Sequence, residues 1–290
     1  MNAQSRRPLL VALAGASALS LGGLLWLSRG LVQRLADQPR DRPSLLDLLA
    51  EGPRPKPAQP RRRVSAPPSQ ASWVSPLRQA CPIRDAEEES RLSDLLANLP
   101  QSRQRVAIDP SNYGERLRQD IGGNQLDPRP RLVVLHETVY GLESAINTFR
   151  THHPDDANQV SYHTLIGGDG QVVDTVSPDK RAFGAGYSAF QGKWVMTSPK
   201  VSGSVNNFAL HISLETPLDG EDDSPSHSGY SSAQYDALAV VLADWMGRYP
   251  IAPEAITTHR HVDLGLERSD PRSFDWTALR RRLAALGVLC

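Results

Sequence analysis

The stretch Arg131-Leu-Val-Val-Leu-His-Glu-Thr138 decides how the rest of the chain is interpreted. Four apolar residues, Leu132 to Leu135, run directly into a histidine and are closed by polar residues. A short apolar run that contains β-branched residues predicts a buried strand. His136 would then lie at the end of this strand, where a sheet presents side chains to a cleft. An imidazole there is either a core residue bonded to backbone or a metal ligand or catalytic base.

The first thirty residues have the pattern of an export or anchoring segment. Arg6 and Arg7 precede an apolar, Gly/Ala-rich run from Pro8 to Ser28. The pattern predicts a signal or membrane anchor in residues 1–30, either an uncleaved transmembrane helix in the inner membrane or a twin-arginine type signal. In both cases we expect the rest of the chain to be exported, to the periplasm or cell envelope.

Composition separates a linker from a folded part. The 290-residue chain carries 32 Lys and Arg against 32 Asp and Glu, so its net charge gives no indication of a nucleic-acid partner. Residues 31–100 are predicted to be a Pro/Arg-rich linker, with a short helix from Glu87 to Leu99 that Pro100 ends. Residues 101–290 are predicted to be the catalytic domain. Cys81 and Cys290 either form a disulfide or remain free thiols.

Strand and helix patterns alternate along the folded part, which predicts a mixed sheet flanked by helices. Two extended runs separated by Gly167-Gly-Asp-Gly170 predict a hairpin. Ser231 and Gln234 have the spacing of a capping box at the start of a long helix. The other predicted elements are a helix at 141–152, strands at 207–216 and 255–258, and a last helix at 276–286 capped by Asp275.

Six short motifs in a fixed order resemble the type 2 N-acetylmuramoyl-L-alanine amidases, a superfamily shared with peptidoglycan recognition proteins and phage amidases. The motifs are His136-Glu-Thr138, Val160-Ser-Tyr-His-Thr-Leu-Ile-Gly-Gly-Asp-Gly170, Lys180-Arg-Ala-Phe-Gly-Ala-Gly-Tyr-Ser188, Asn207-Phe-Ala-Leu-His-Ile-Ser-Leu-Glu215, Thr258-His259 and Arg268-Ser-Asp-Pro271. The resemblance covers about 132–286 and implies an α/β (mixed α+β) fold with a central mixed β-sheet flanked by helices.

The resemblance implies one Zn²⁺ held by His136, His259 and Asp270. Zinc takes imidazole nitrogen and carboxylate oxygen, and a catalytic site leaves a tetrahedral position for water. His261 is a rival ligand, because it would point the same way as His259 on an extended segment. The other histidines considered, His163, His211 and His227, are expected to be structural or surface residues.

The same resemblance gives candidates for catalysis and for substrate binding. Tyr162 is the candidate that orients or exchanges a proton with the zinc water, and Glu215 is the competing general base. Ser213 stands where many members have a glutamate, and Arg268 stands where lysine is common, as a group for the oxyanion or a substrate carboxylate. The substrate-binding candidates are Gly184, Ser188 and Asn207; Gly184 replaces a histidine of the family's Trp-His-Ala-Gly motif.

The implied function is zinc-dependent hydrolysis of the amide between N-acetylmuramic acid and L-alanine. The expected partners are peptidoglycan or a soluble muropeptide, and the membrane through the N-terminal helix. The alternative is a peptidoglycan-binding module that has lost turnover, which Ser213, Gly184 and Arg268 favour. The chain alone leaves the choice between intact wall and soluble muropeptide open.

Overall fold

The predicted opening strand is an interior strand of a six-stranded sheet, second from one edge. In the computed structural model, which describes residues 64–78, 82 and 85–289, the strand spans Leu132–Glu137 and all six of its residues are buried. We number the strands β1 (Gln104–Arg105), β2 (Tyr113–Glu115), β3 (Leu132–Glu137), β4 (Thr164–Ile166), β5 (Val172–Asp174), β6 (Lys180–Ala182), β7 (Ala209–Leu214) and β8 (Ile256–Thr258).

The sheet is mixed, as the sequence predicts. Its strand order is β1-β5-β4-β7-β3-β8. Strand β3 pairs in parallel with both β7 and β8, β4 is parallel to β7, and the predicted hairpin of β4 and β5 is antiparallel. Strands β2 and β6 form a separate antiparallel pair. Because β3, β7 and β8 are parallel, their carboxyl ends meet at one edge of the sheet.

In the part of the chain that the structure describes there are five α-helices: α1 (Ala86–Ser102), α2 (Leu142–Arg150), α3 (Ser232–Arg248), α4 (His259–Val262) and α5 (Trp276–Ala285). The capping box of Ser231 and Gln234 is present at the start of α3. The Asp275 side chain accepts hydrogen bonds from two backbone N–H groups at the start of α5. Both helix starts are therefore confirmed.

The two faces of the sheet are covered differently. One face packs its apolar side chains, such as Val133 and Leu135, against α3 with α1 and α5 beside it. On the other face, α2 packs on β4 and β5 through Leu142, Ile146 and Phe149. Loops cover the start of β3 on that same face, around Val134. His136 lies on this second face, where helix cover gives way to loops.

The folded part begins earlier than the predicted boundary at residue 101. Leu92 and Leu99 of α1 are buried, and α1 packs against α3 and α5. Pro100 does not end the helix, which continues to Ser102. A proline this close to the last turn removes only one backbone hydrogen bond. Residues 86–100 therefore belong to the domain rather than to the linker, because their apolar face is part of the core.

Part of the remaining predicted linker also packs on the domain. Gln70 Nε2 donates hydrogen bonds to the carbonyl oxygens of Ala189 at 2.8 Å and His261 at 3.1 Å. The indole of Trp73 donates to the Glu254 carbonyl at 3.1 Å and lies 4.5 Å, between ring centroids, from His261. Residues 64–78 are thus an ordered strap along the side of the domain.

Several predictions of the N-terminal analysis lie outside the described residues. These are the signal or anchor in residues 1–30, the predicted linker from residue 31 to residue 63, and the pairing of Cys81 with Cys290. Within the ranges that the structure describes, none of the helices combines the length and the hydropathy needed to span a membrane.

Candidate metal centre

The three predicted metal ligands meet at the carboxyl edge of the sheet. His136 is the fifth residue of β3, and His259 is the first residue of α4, directly after β8. Leu135 of β3 is in register with Thr258 of β8, so the two histidines follow neighbouring positions on adjacent strands. The backbone N–H of Arg260 donates to the Asp270 carbonyl at 3.0 Å, which holds the loop bearing Asp270 over this edge.

The distances are those of a cluster that a single ion can bridge. His136 Nδ1 lies 3.2 Å from Asp270 Oδ2. His259 Nδ1 lies 3.1 Å from the same oxygen and 3.0 Å from Oδ1. One ligand atom from each residue lies within 4.8 Å of the others. Two imidazole nitrogens and one carboxylate oxygen are thus directed at one point.

The protonation states of the cluster suit a cation. Burial lowers the pKa of His136 to about 4, although the hydrogen bond with Asp270 opposes this shift. Burial by itself would raise the pKa of the Asp270 carboxyl, but hydrogen bonds from His136 and His259 hold that pKa well below its usual range. At neutral pH the pair is therefore a neutral imidazole and a carboxylate, which are the forms that ligate metals.

The cluster opens into a large cleft of about 1270 Å³, which His259 and Asp270 line. Tyr162 also lines it and stacks on His136, with ring centroids 4.4 Å apart. Exposed Arg268 lies at the cleft, two residues before Asp270, and Gly184 also lines it. The structure thus brings Tyr162, Arg268 and Gly184 together with the three ligands.

Glu215 does not lie in this cleft. Its carboxylate accepts a hydrogen bond from the backbone N–H of Leu142, the first residue of α2, at 2.6 Å, and another from Gly168 at 2.6 Å. It lines a separate, smaller depression beside the β4–β5 turn. The structure does not bring Glu215, the predicted competing general base, together with the three ligands, and each of its carboxylate oxygens accepts a backbone hydrogen bond.

Ser188 and Asn207, predicted to bind substrate, are not among the residues that line the cleft. Ser188 is buried, donates to the Ala185 carbonyl at 3.2 Å and accepts from Val205 N at 3.1 Å. Asn207 is buried and forms two hydrogen bonds with the backbone of Leu117. Both side chains hold loops in place around the cleft.

The neighbouring Asn206 is the asparagine that lines the cleft, and sequence reasoning missed it. Its Oδ1 accepts a hydrogen bond from Ala185 N at 3.0 Å, next to Gly184. The sequence does not distinguish two adjacent asparagines, so the one that lines the cleft is identified only by the folded structure.

Two further residues of the site were not predicted. His211, expected to be structural, contacts a ligand directly: its Nδ1 lies 2.9 Å from His136 Nε2. Glu137, next to His136, is buried against Arg272, with Arg272 Nε 2.5 Å from Oε1. Glu137 also accepts from Tyr230 at 2.5 Å and Arg272 N at 3.0 Å. The ion pair fixes the chain two residues beyond Asp270.

His261 is excluded as a rival ligand by its position. Because the segment after β8 is helical rather than extended, His261 does not point the same way as His259. Its ring packs instead against Trp73 and Phe190. The strap at 64–78 therefore covers the histidine that is not part of the candidate metal-binding group.

By its fold the protein is of the α+β class with a mixed sheet, and by its site it carries a candidate metal-binding His-His-Asp group at the carboxyl edge of that sheet. Residues 126–273 match the family described as Amidase_2, N-acetylmuramoyl-L-alanine amidase. The match spans about half of the chain, and the protein belongs to this family. The resemblance seen in the sequence motifs is thereby confirmed.

The relatives found are amidases named for an anhydro-sugar substrate. The 1,6-anhydro-N-acetylmuramyl-L-alanine amidase AmpD of Enterobacter cloacae is 37% identical over 126 residues, which is 43% of this chain and 57% of that protein. AmpD of Escherichia coli is 36% identical over 124 residues, 42% of this chain and 57% of that protein. The chain thus spans a little over half the length of these curated relatives.

Solved structures of similar proteins were also found. A crystal structure of a selenomethionine AmpD derivative aligns with a TM-score of 0.48 and 29% identity, covering 63% of this chain and 94% of that one. AmpDh3 of Pseudomonas aeruginosa, in complex with an anhydromuramic pentapeptide, aligns with a TM-score of 0.41 and 20% identity over 60% of this chain and 62% of that one.

Proposed function

We propose that the protein is a zinc-dependent N-acetylmuramoyl-L-alanine amidase that hydrolyses the amide between the lactyl group of N-acetylmuramic acid and L-alanine. The observation that carries the proposal is the convergence of His136, His259 and Asp270, whose ligand atoms lie within 4.8 Å of one another beside a large cleft. These residues are far apart in the chain, so the fold itself assembles the cluster.

The donor set fits zinc. Two imidazole nitrogens and one carboxylate are a set that catalytic zinc sites use, with a further position left for water or substrate. The Glu137–Arg272 ion pair beside the cluster is not available as a fourth ligand, because each Glu137 oxygen already accepts hydrogen bonds. The cleft side of the cluster is therefore the side on which substrate would lie.

A zinc ion bound here would lower the pKa of water toward neutrality and polarise the scissile carbonyl. Tyr162 would serve as a donor rather than a base, because burial, with the nearby Asp270 charge, raises the pKa of its phenol well above the usual value. Arg268 would contribute positive charge near the oxyanion or a substrate carboxylate.

The cleft also supports a glycopeptide substrate. Its volume exceeds the range typical of small-molecule pockets. Arg181 and Lys200 line it in addition to Arg268, and these cations suit the carboxylates of a stem peptide. The two candidate substrates are an anhydromuropeptide, as in the names of the AmpD relatives, and the intact wall.

We further propose that the enzyme acts outside the cytoplasm, held to the inner membrane by residues 1–30. This proposal rests on the sequence pattern of those residues alone. Fractionation of cells that express the full-length protein tests it, because an anchored protein is recovered with the membrane and a cleaved one with the periplasm.

The test of the activity uses full-length protein stripped of metal and then given one equivalent of Zn²⁺. It is incubated in parallel with a soluble anhydromuropeptide and with isolated sacculi, and released stem peptides with a free L-alanine amine are counted by mass spectrometry. His136→Ala and Asp270→Asn are expected to lose both stoichiometric zinc and turnover. His152→Ala, an exposed histidine bonded to Asp109, is the matched control.

Two outcomes separate the candidate functions. Release of stem peptide that depends on zinc and on His136 supports the amidase. Binding to sacculi by zinc-loaded protein with no release from either substrate would instead support the non-catalytic peptidoglycan-binding module. Release that survives in His136→Ala would exclude the metal cluster as the active site.

A further inference from the structure

His211 is a buried histidine with one side-chain hydrogen bond, and that bond is to a metal ligand. The residue lies on β7, in register with Val134 of β3, and is fully buried. Its Nδ1 lies 2.9 Å from Nε2 of His136. Its Nε2 has no partner among the residues that the structure describes. Burying an imidazole with half of its hydrogen-bonding capacity unused is costly, so a structural role alone does not explain its presence.

The space for His211 comes from Gly184. A Cβ atom built on Gly184 would lie 2.4 Å from Nδ1 and 2.5 Å from Cγ of His211, distances at which atoms overlap. The backbone of the Gly-rich loop therefore lies directly on the imidazole. Gly184 stands where the Trp-His-Ala-Gly motif has a histidine. Its lack of a side chain leaves room for the His211 ring of β7.

The ring also packs against His163. His211 is parallel to His163, with 5.8 Å between centroids and 9° between planes. His163 Nδ1 accepts the backbone N–H of His211 at 2.9 Å, which fixes His163 in turn. The imidazole of His211 thus has one position, and that position directs Nδ1 at His136.

We propose that His211 is a positioning residue for the metal site. It accepts the Nε2–H of His136 and so directs Nδ1 of His136 at the ion. Gly184 is required for this position of His211. The inference rests on the proposed zinc function and adds a residue to it. For Nδ1 of His136 to offer a lone pair, the ring hydrogen must be on Nε2, and His211 is the acceptor there. Partners of this kind orient histidine ligands and raise their basicity.

The first experiment measures Zn²⁺ affinity by competition with a chelator in full-length protein. His211→Leu keeps the volume but removes the acceptor, and is expected to weaken binding by about 10- to 100-fold. His211→Asn is expected to restore it, because Oδ1 of asparagine lies as many bonds from Cβ as Nδ1 of histidine. The Co²⁺-loaded protein should change its visible spectrum in His211→Leu and recover it in His211→Asn.

The control is Thr257→Val, an isosteric change on the same sheet face. Thr257 is in register with Val134, and its hydroxyl has no partner among the described residues. This variant should bind zinc as the wild type does. If His211→Leu does not fold, the comparison moves to His211→Asn against His211→Gln, since glutamine places its oxygen one bond too far.

The second experiment tests the role of Gly184. Gly184→Ala is expected to weaken zinc binding in the wild type, because its methyl group displaces the His211 ring. In a His211→Ala background the same substitution should have little further effect, so the two changes are non-additive.

The results distinguish this inference from the proposed function. Wild-type protein that binds no zinc would overturn the function. Zinc-binding wild type with unchanged affinity and Co²⁺ spectrum in His211→Leu, or Gly184→Ala effects that are equal in both backgrounds, would overturn the role of His211 alone.

Discussion

The phenol of Tyr162 stacks on the imidazole of His136, with the ring planes 26° apart and the centroids 4.4 Å apart. The ring lies against the first candidate ligand, and Tyr162 lines the same cleft as His259 and Asp270. The two contributions can be separated by substitution, since phenylalanine keeps the ring and loses the hydroxyl.

Tyr162→Phe is expected to lower kcat about 100-fold, because a donor at the reacting centre is removed. Zinc content and the thermal stability of the protein should stay close to those of the wild type, because the stacking is retained. Steady-state kinetics with metal analysis checks both parts. Full kcat in Tyr162→Phe would show that the residue only supports His136.

Arg268→Ala is expected to lower kcat/KM by about 10-fold or more, since a cation near the developing charge is lost. Arg268→Lys should recover part of the activity, because the charge remains but the forked donor geometry does not. Arg260→Ala, an exposed arginine on α4, is the control for net charge. A KM effect without a kcat effect would assign Arg268 to a substrate carboxylate.

Glu215→Ala is expected to destabilise the domain by about 1–3 kcal/mol and to leave kcat nearly unchanged. The loss leaves the N–H groups of Leu142 and Gly168 without their acceptor. Urea unfolding and kinetics on the same sample test this. A variant that folds normally but has no turnover would show that Glu215 takes part in catalysis.

The metal-free protein is expected to lose stability as the pH falls from about 6.5 to about 4. Burial lowers the pKa of His136 to about 4 and holds those of His163 and His211 well below the usual value. In this window the unfolded chain takes up protons that the folded chain does not. The free energy of unfolding therefore decreases as the pH is lowered. His136 alone contributes on the order of 3 kcal/mol.

Urea titrations across this pH range, with chelator present, measure the slope. His163→Gln should flatten it, because one buried histidine is removed from the linkage. His152→Gln removes an exposed histidine and should leave the slope as it was. If the free energy of unfolding is the same at both ends of this pH range, the three histidine rings are not buried in solution as the structure shows them.

The sequence was sufficient for the parts of the fold that depend on local patterns. The strand before His136, the hairpin with its glycines, the capping box at Ser231 and the cap at Asp275 are all present. Each is set by neighbouring residues through periodicity, turn dihedrals or cap hydrogen bonds. The helix end predicted at Pro100 was wrong because a proline near the last turn costs little when the helix packs on a core.

The residues of the site could be predicted from the sequence only where they belong to one of the family motifs. Ser213 and Glu215 are spaced in the sequence as residues on one face of a strand would be, but β7 ends at Leu214. Glu215 lies just beyond it, bonded to the start of α2, and no sequence pattern shows this contact. The contact between His211 and His136 depends on β7 lying next to β3 in parallel register. That pairing joins segments about 75 residues apart, so it became visible only when the chain was folded.

The burial of Leu92 and Leu99 has a practical consequence for anyone who trims this gene. A recombinant form starting at residue 101 would discard the whole apolar stripe of the first helix. The apolar side chains of the long helix that contains Leu238 and Leu242 would then be exposed to water, and proteins with such exposed apolar surface tend to aggregate. Shortened versions should therefore keep the chain from residue 64 onward, so that both the strap and the helix stay attached.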